Sequence, residues 1–272
     1  MASAPSLPPQ WDAAGYAANS TVQLDSARTL ISRLALLGDE TVLDLGCGDG
    51  KVSAELAQAV PRGKVLGVDI SVEMIAFANR HHGSPPPGNL RFQIGDAGSI
   101  GRLAPPATFD LIFSNAALHW VKDHPAVLAG AAQLLRPGGR LAISCGGWGN
   151  AHAVYLAMRP IMRSPAYRSY FRQMATPYFF YPLENYNHWL PAAGFRVNRL
   201  EMIPHDVTYA GAAGLAMWLR MTWLPFTQRV PAPLREDFIQ GVTQQYLASH
   251  PPTDDGLVPV RLVRLELEAT RL

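Results

Sequence analysis

Residues 42–50 read VLDLGCGDG, and this stretch decides how the chain folds. A short apolar run closes on Asp44. Gly46, Gly48 and Gly50 follow at alternate positions, and a helix-forming stretch starts at Lys51. Glycine lets a backbone turn sharply and come close to a ligand. In an open parallel sheet, ligands bind beyond the carboxyl ends of the strands. The glycine spacing is not that of a dinucleotide site, because Lys51 stands where the third glycine of Gly-x-Gly-x-x-Gly belongs. The Gly-x-x-x-x-Gly-Lys-Ser/Thr loop that cradles phosphates is missing from the sequence as well.

Outward from this loop, strand and helix signals alternate. TVLDL (41–45), KVLGVDI (64–70), LRFQIGDA (90–97), FDLIFSN (109–115) and RLAISCG (140–146) read as strands. Helices are expected over Leu24–Leu37, Lys51–Val60, Ser71–His81 with Ser71 as N-cap, and Pro125–Leu135. The last of these is stopped by Arg136-Pro137-Gly138-Gly139. Near-continuous Val/Ile/Leu strands separated by helices predict a parallel sheet covered on both faces. After Gly149 the rhythm changes: 150–193 and 211–249 read as helical with aromatic and Pro-rich connectors, while FRVNRLEMIPHDVTYA (195–210) and LVPVRLVRLELEAT (257–270) read as two late strands.

The expected fold is therefore α/β, a Rossmann-like doubly wound seven-stranded sheet with its last strand antiparallel and a mostly helical cap. The expected boundaries are an N-terminal cap segment at 1–25, a cofactor-binding core at 26–149, helical cap insertions at 150–193 and 210–255, and core strands at 194–209 and 256–272. At 272 residues and 48% hydrophobic content, the chain is long enough for such a core. A net charge of +2 supplies no electrostatic footprint for nucleic acid. The cations are lopsided, 20 Arg against 3 Lys, which genome composition accounts for. Cys47 and Cys145 cannot make a disulfide framework. No apolar run approaches the ~18–20 residues of a membrane span, and the first 27 residues lack the basic start of a signal peptide. We read a soluble, reduced, cytoplasmic protein without a membrane or nucleic-acid partner, monomeric or homodimeric.

Acidic residues then recur at strand ends. Asp69 closes the second strand, where a carboxylate can bond a ribose diol. Asp96 closes the third, where it can accept from an adenine amino group. Met74, one helical turn on, is placed to pack on a purine face. Together these fit an adenosine ligand without phosphates.

At this point the chain resembles the class I S-adenosylmethionine-dependent methyltransferases. The matching pieces are LDLGCGDG (43–50), VLGVDISVEMI (65–75), FQIGDA (92–97), FDLIFSNAALHWV (109–121) and LLRPGGRLAIS (134–144), in the family's order. The resemblance implies S-adenosylmethionine as cofactor and S-adenosylhomocysteine as product. It places Asp44, Gly46, Cys47 and Gly48 around the methionine moiety, Asp69 and Ile70 at the ribose and adenine, Asp96 and Ala97 at the adenine rim, and Asn115 with Ala116 near the sulfonium. WDAAGYAANSTVQ (11–23), ALHWV (117–121) and parts of the tail are similar, more narrowly, to the trans-aconitate, malonyl-carrier-protein and juvenile hormone acid methyltransferases. That resemblance implies a methyl ester as product, with Gln23 and Trp120 meeting the substrate carboxylate, Tyr16 closing over the methionine moiety and Trp11 beside the substrate.

Two chemistries remain open. A carboxylate is ionised at pH 7 and needs no general base; a hydroxyl, amine or carbon nucleophile profits from one. His119, the histidine within the matched motifs, fits either as a donor to a carboxylate or as that base. Arg220 is the expected partner of a substrate anion. Trp223 belongs to an aromatic stripe (Met217, Trp218, Trp223, Leu224, Pro225, Phe226) that suits cap core or an apolar pocket wall. The remaining histidines show no ligand spacing, so no metal is expected. A nucleic-acid methyltransferase is disfavoured because Ser114-Asn115-Ala116-Ala117 stands where an Asn/Asp-Pro-Pro-aromatic motif would be. A dehydrogenase is disfavoured by the glycine spacing. Outside enzymology, a non-catalytic S-adenosylmethionine-binding protein is the remaining reading.

Overall fold

The computed structural model describes residues 21–83 and 88–272, with residues 21–23 described by their backbone alone. In chain order the elements are α1 (Thr21–Arg33), β1 (Thr41–Leu45), α2 (Lys51–Ala59), β2 (Lys64–Asp69), α3 (Val72–His82), β3 (Leu90–Ile94), β4 (Phe109–Asn115), α4 (His124–Leu134), β5 (Leu135–Gly146), α5 (His152–Arg163), α6 (Leu183–Ala192), β6 (Phe195–Ala210), α7 (Gly211–Thr222), α8 (Leu224–Thr227), α9 (Ala232–Leu247) and β7 (Leu257–Arg271). Short 3-10 turns cover Ala97–Arg102 and Leu118–Trp120.

The strands form one seven-stranded sheet in the order β3-β2-β1-β4-β5-β7-β6. β1 pairs in parallel with β2 on one side and β4 on the other, in a register that sets Asp44 beside Gly67 and Phe113. β5 pairs in parallel with β4 and antiparallel with β7, which brings Gly146 opposite Arg264. This is the expected seven-stranded sheet with an antiparallel last strand.

Alternation along β1 builds two cores. Leu43 and Leu45 face a cluster with Ile112, Leu118, Val127, Leu128, Tyr186 and Leu190. Val42 faces the opposite cluster, with Leu30, Leu34, Leu56, Val65 and Phe113. Successive strand residues point to opposite faces, so a strand buried on both faces is largely apolar, as TVLDL is apart from Thr41 at its start and Asp44. α1 is held to the late strands by charge as well. Glu266, almost wholly buried on β7, ion-pairs with Arg33 of α1 and with Arg199 of β6 at 2.7 Å.

Two element boundaries differ from the sequence expectation by four residues or more. α1 ends at Arg33 rather than Leu37 because Ala35 adopts a left-handed φ of 45°. β5 begins at Leu135 rather than Arg140. The pairing register with β4 shifts between Phe109 and Leu111, so Arg136-Pro137-Gly138-Gly139, with Gly138 at φ 77°, forms an irregularity within the strand instead of a stop before it. Ser71 caps α3 as expected, its Oγ accepting from the Met74 N–H at 3.2 Å.

The chain separates into two compact units. Among the described residues, one contains those up to Trp148, Tyr178–Ile203 and Arg264–Leu272; the other contains Gly149–Pro177 and Pro204–Val263. The stretch 150–193, expected as one helical insertion, is thus divided between the two, and β6 and β7 contribute to both. Within the second unit, α5, α7 and α9 bury Val154, Met158, Leu215, Leu219, Phe238, Ile239, Val242 and Tyr246. Tyr167 and Phe171 pack on Phe238 at 5.2 and 5.4 Å between ring centroids.

Leu43 is fully buried where β1 meets its first core. Leu43→Ala should lower stability by about 2–5 kcal/mol, read as a drop in urea midpoint at unchanged m-value. A loss below about 1 kcal/mol would mean that β1 does not anchor that core.

Candidate active site

The strand order reverses between β1 and β4, since β1 leads to β2 on one side while β4 leads to β5 on the other. At such a reversal the connections leave in opposite directions and open a crevice at the carboxyl ends of the strands. Of the cofactor residues expected from the sequence, Asp44, Gly46, Cys47, Gly48, Asp69, Ile70, Asp96, Ala97, Asn115 and Ala116 lie at these ends, whereas Met74 is on α3 and Gln23 on α1.

The loop after β1 is tied to its neighbours. The Gly46 and Cys47 N–H groups both donate to the Val68 carbonyl, at 2.7 and 3.0 Å. The Gly48 N–H donates to Asp69 Oδ2 at 3.0 Å and the Ser71 N–H to Asp69 Oδ1 at 2.9 Å. Gly46, at φ 78°, has a steric reason to be glycine: a Cβ there would lie 2.1 Å from the Ala117 Cβ. At Gly50 a Cβ would meet Ala78 and Phe92 at 2.8 Å. These two glycines thus serve close packing of the protein on itself, in addition to the turn.

Three carboxylates stand at successive strand ends. Asp44 is buried and accepts from Ser53 Oγ at 2.5 Å. Burial pushes its pKa up to about 7, with further upward pressure from the Asp69 and Asp49 charges and the Ser53 bond pulling down. Asp69 is half-buried and also raised, again by burial first. Asp96 is exposed, and its Oδ1 accepts from the Gly98 N–H at 2.9 Å, capping the 3-10 turn that begins at Ala97. Ile70 is 60% exposed beside Asp69, whereas Met74 is buried. The exposed apolar side chain at the end of β2 is thus Ile70, and the purine-stacking place expected for Met74 falls on a side chain turned inward. Cys47 is buried, and burial raises its thiol well above its ordinary value. Its backbone is what faces the loop's hydrogen bonds.

Past β4 the site changes sign. Asn115 accepts through Oδ1 from Arg264 Nη2 at 2.8 Å, and Arg264 also donates to Ser144 Oγ through Nε at 2.9 Å and Nη2 at 2.6 Å. Ala116 takes a left-handed φ of 56° and donates to the Ser144 carbonyl at 2.7 Å. The chain then turns through Leu118–Trp120. His119 Nδ1 accepts from the Gly146 N–H at 3.2 Å. The His119 ring lies 5.5 Å from Trp120, 6.1 Å from Tyr178 and 5.9 Å from Phe180. Burial, then the Arg264 charge, then His124, bring the His119 pKa down to about 3.

Several expected residues lie elsewhere. Trp11 and Tyr16 are outside the described residues, as is the Gln23 side chain. Arg220 ion-pairs with Glu236 at 2.8 Å within the helical unit, so that unit supplies its counter-charge. Trp223 is buried against Trp218 and Phe226, an aromatic core contact. Ser144 and Gly146 are not marked by the sequence as site residues, whereas Arg264 is one of the late arginines (Arg168, Arg172, Arg220, Arg261 and Arg264) that suit a substrate anion. Arg264 had a legible signal: Arg264, Glu266 and Glu268 recur every second residue and so share one face of β7. Gly146 acts through its N–H, which leaves no mark in the sequence.

A family model described as a methyltransferase domain matches residues 37–159. Trans-aconitate 2-methyltransferase from Methylobacterium nodulans is 31% identical over 275 residues, covering 96% of this chain and 98% of that protein. This chain belongs to the class I S-adenosylmethionine-dependent methyltransferases. An uncharacterised methyltransferase of Schizosaccharomyces pombe is 33% identical over 71% of this chain and 73% of its own length. The solved structure of a candidate methyltransferase from Bacillus halodurans shares the fold, with a TM-score of 0.62 at 18% identity, covering 90% of this chain and 98% of that one. The family's cofactor is S-adenosylmethionine, and the donor set suits it. Asp44, Asp69 and Asp96 would repel a phosphate but favour a cation, hydroxyls and an amino group, and the exposed Ile70 offers an apolar surface for a purine. Among the described residues of the methyltransferase, no cluster of metal-ligating side chains forms and no helix is long and apolar enough to cross a membrane.

Asp44 gives a pH signature. Its folded pKa, about 7, exceeds the ordinary carboxylate value, so the stability it contributes is full below the unfolded pKa of about 4 and is lost as pH rises through 7. Asp44→Asn removes this dependence. The stability difference, wild type minus variant, should fall by about 2–4 kcal/mol between pH 4 and pH 8. A stability difference that stays constant across that range would show that Asp44 titrates alike in the native and unfolded states.

Proposed function

We propose that this methyltransferase esterifies a carboxylate of a small organic acid, with His119 as a hydrogen-bond donor to the acceptor. The observation that carries this reading is the Gly146 N–H bond to His119 Nδ1. A backbone N–H can only donate, so Nδ1 must be the acceptor and the ring proton resides on Nε2. With its pKa down at about 3, the imidazole is neutral at pH 7. General-base catalysis is most effective when the base's pKa lies near the working pH, and a base this weak gains little from a hydroxyl. A neutral Nε2–H donor fits an acceptor that is already an anion. Arg264, whose charge is felt at His119, adds positive potential on the same side. The names of the relatives point the same way, since trans-aconitate is a carboxylic acid.

When bound, S-adenosylmethionine supplies an electrophilic methyl group on a sulfonium. For the cofactor we assign Asp69 to the ribose diol through the acceptor capacity left beyond its two backbone bonds, Ile70 to the adenine face, and Asp96 with Ala97 to the adenine rim. Asp44, Gly46, Cys47 and Gly48 bound the methionine moiety, and Asn115 with Ala116 lie at the reacting end. Trp120, through its indole N–H, and Gln23 complete the donor set for the acceptor carboxylate. Alignment of donor and acceptor is the main demand on these residues, worth roughly 7–11 kcal/mol in well-oriented reactions.

The test is transfer of labelled methyl from S-adenosylmethionine to trans-aconitate and a panel of other organic acids. Mild base should release labelled methanol from the product. At saturating cofactor, turnover should stay flat from pH 6 to 9, and His119→Ala should raise the acceptor KM about tenfold or more. A base-stable product, or turnover that rises with a pKa near 6–7 and vanishes in His119→Ala, would make His119 a general base and overturn the ester assignment.

A further inference from the structure

The turn that carries His119 and Trp120, with the residues just after it, is held at three carbonyls, two of them by the segment 179–181 and one by His124, which Tyr186 backs. The Phe179 N–H donates to the His119 carbonyl at 2.8 Å. Tyr181 Oη donates to the Lys122 carbonyl at 2.7 Å. The third bond runs through two fully buried side chains: His124 Nε2 lies 2.9 Å from the Leu118 carbonyl, and His124 Nδ1 lies 2.6 Å from Tyr186 Oη. The Leu118 carbonyl already accepts the Val121 N–H at 2.8 Å, which closes the turn. The bond from His124 is therefore additional to what the turn needs to form.

Proton positions along this relay follow from the chemistry of its ends. A carbonyl only accepts, so His124 carries its proton on Nε2. Nδ1 is then an acceptor, and the Tyr186 hydroxyl must donate to it. Burial lowers the His124 pKa, so the ring stays neutral and the direction of the relay does not change near neutral pH. Tyr181 and Trp189 pack against the His124 ring at 4.8 and 6.1 Å and fix its plane. Buried polar side chains cost stability unless fully paired, and an apolar pair would fill this space without that demand. What the polar pair adds is direction: it orients the peptide between Leu118 and His119.

We propose that His124 and Tyr186 are positioning residues for methyl transfer, aiming the His119 ring at the acceptor by anchoring the Leu118 carbonyl. This rests on the reading of His119 as an acceptor-binding donor. The relay does not touch the cofactor residues at the ends of β1, β2 and β3. Loss of aim should therefore appear in turnover and acceptor KM and leave cofactor affinity alone. Small misplacements of positioned groups are costly, as much as about a hundredfold per ångström.

The experiment compares His124→Leu, His124→Gln and Tyr186→Phe with wild type, using trans-aconitate or whichever acid of the panel the wild type methylates. His124→Leu and Tyr186→Phe should each lower kcat/KM about tenfold with the Kd for S-adenosylhomocysteine within twofold of wild type. His124→Gln, whose amide can still donate to Leu118, should recover most of the loss. In the His119→Ala background, His124→Leu should have little further effect, because a residue acting through His119 has nothing left to aim. Equal losses in both backgrounds, or failure of glutamine to rescue, would make the pair a merely structural element and overturn the proposal. If His124→Leu does not fold, Tyr186→Phe, which removes one oxygen, carries the same cycle. Histidine-ring nitrogen NMR needs no acceptor. Tyr186→Phe should shift the His119 ring signals, and unchanged His119 signals would also overturn the proposal. Failure to form a methyl ester from any acid falls on the function proposed above, whereas an additive cycle on a working acceptor falls on the relay alone.

Discussion

The parallel pairing of β1 between β2 and β4 is the constraint on which the rest depends. It buries TVLDL on both faces and makes Leu43 and Val42 seeds of opposite cores. It also places the reversal of strand order at the β1–β4 seam. Everything assigned to chemistry in the described chain hangs from strand ends near that seam. Gly46 shows how tight the arrangement is. Its missing side chain is what lets the loop after β1 lie against Ala117, beyond β4. The glycine loop and the residue that leads into the Leu118–Trp120 turn are therefore packed against each other.

Strand order also sorts the charges. The half of the sheet made by β1, β2 and β3 ends in Asp44, Asp69 and Asp96. In the half made by β4, β5 and β7, Asn115 and Ser144 stand at or near strand ends, Arg264 lies midway along β7 opposite Gly146, and His119 follows just beyond β4. A cationic, hydroxyl-rich cofactor and the anionic acceptor we propose would call for opposite surroundings, and neighbouring strands of one sheet offer both kinds of side chain. Burial tempers the charge on both sides. The same removal from water that raises Asp44 toward neutrality drives His119 down to a neutral donor.

Much of this was legible in the sequence because it is local. Period-two and continuous apolar runs identify strands, and the Ser71 cap is a single residue's hydrogen bond. The two most displaced boundaries fail in opposite ways: a helix-like run turns at Ala35, while the turn-like Pro137–Gly139 is held within a strand. Met74 and Ile70 show the same limit. Both are apolar and adjacent to the expected adenosine site, but only the packing of α3 decides which of the two faces outward.

The sequence by itself determined the fold class, the glycine loop with its spacing, and the acidic strand ends, because these depend on residues near one another in the chain. Tertiary structure decided the protonation of His119, the orientation of Arg264 and the partner of Arg220. Each of these is set by a group far away in sequence. The Gly146 N–H reaches His119 across 27 residues, Asn115 reaches Arg264 across 149, and Glu236 takes Arg220 across 16. A side chain's charge and proton follow from the field and hydrogen bonds around it, and only the folded chain brings those partners within reach.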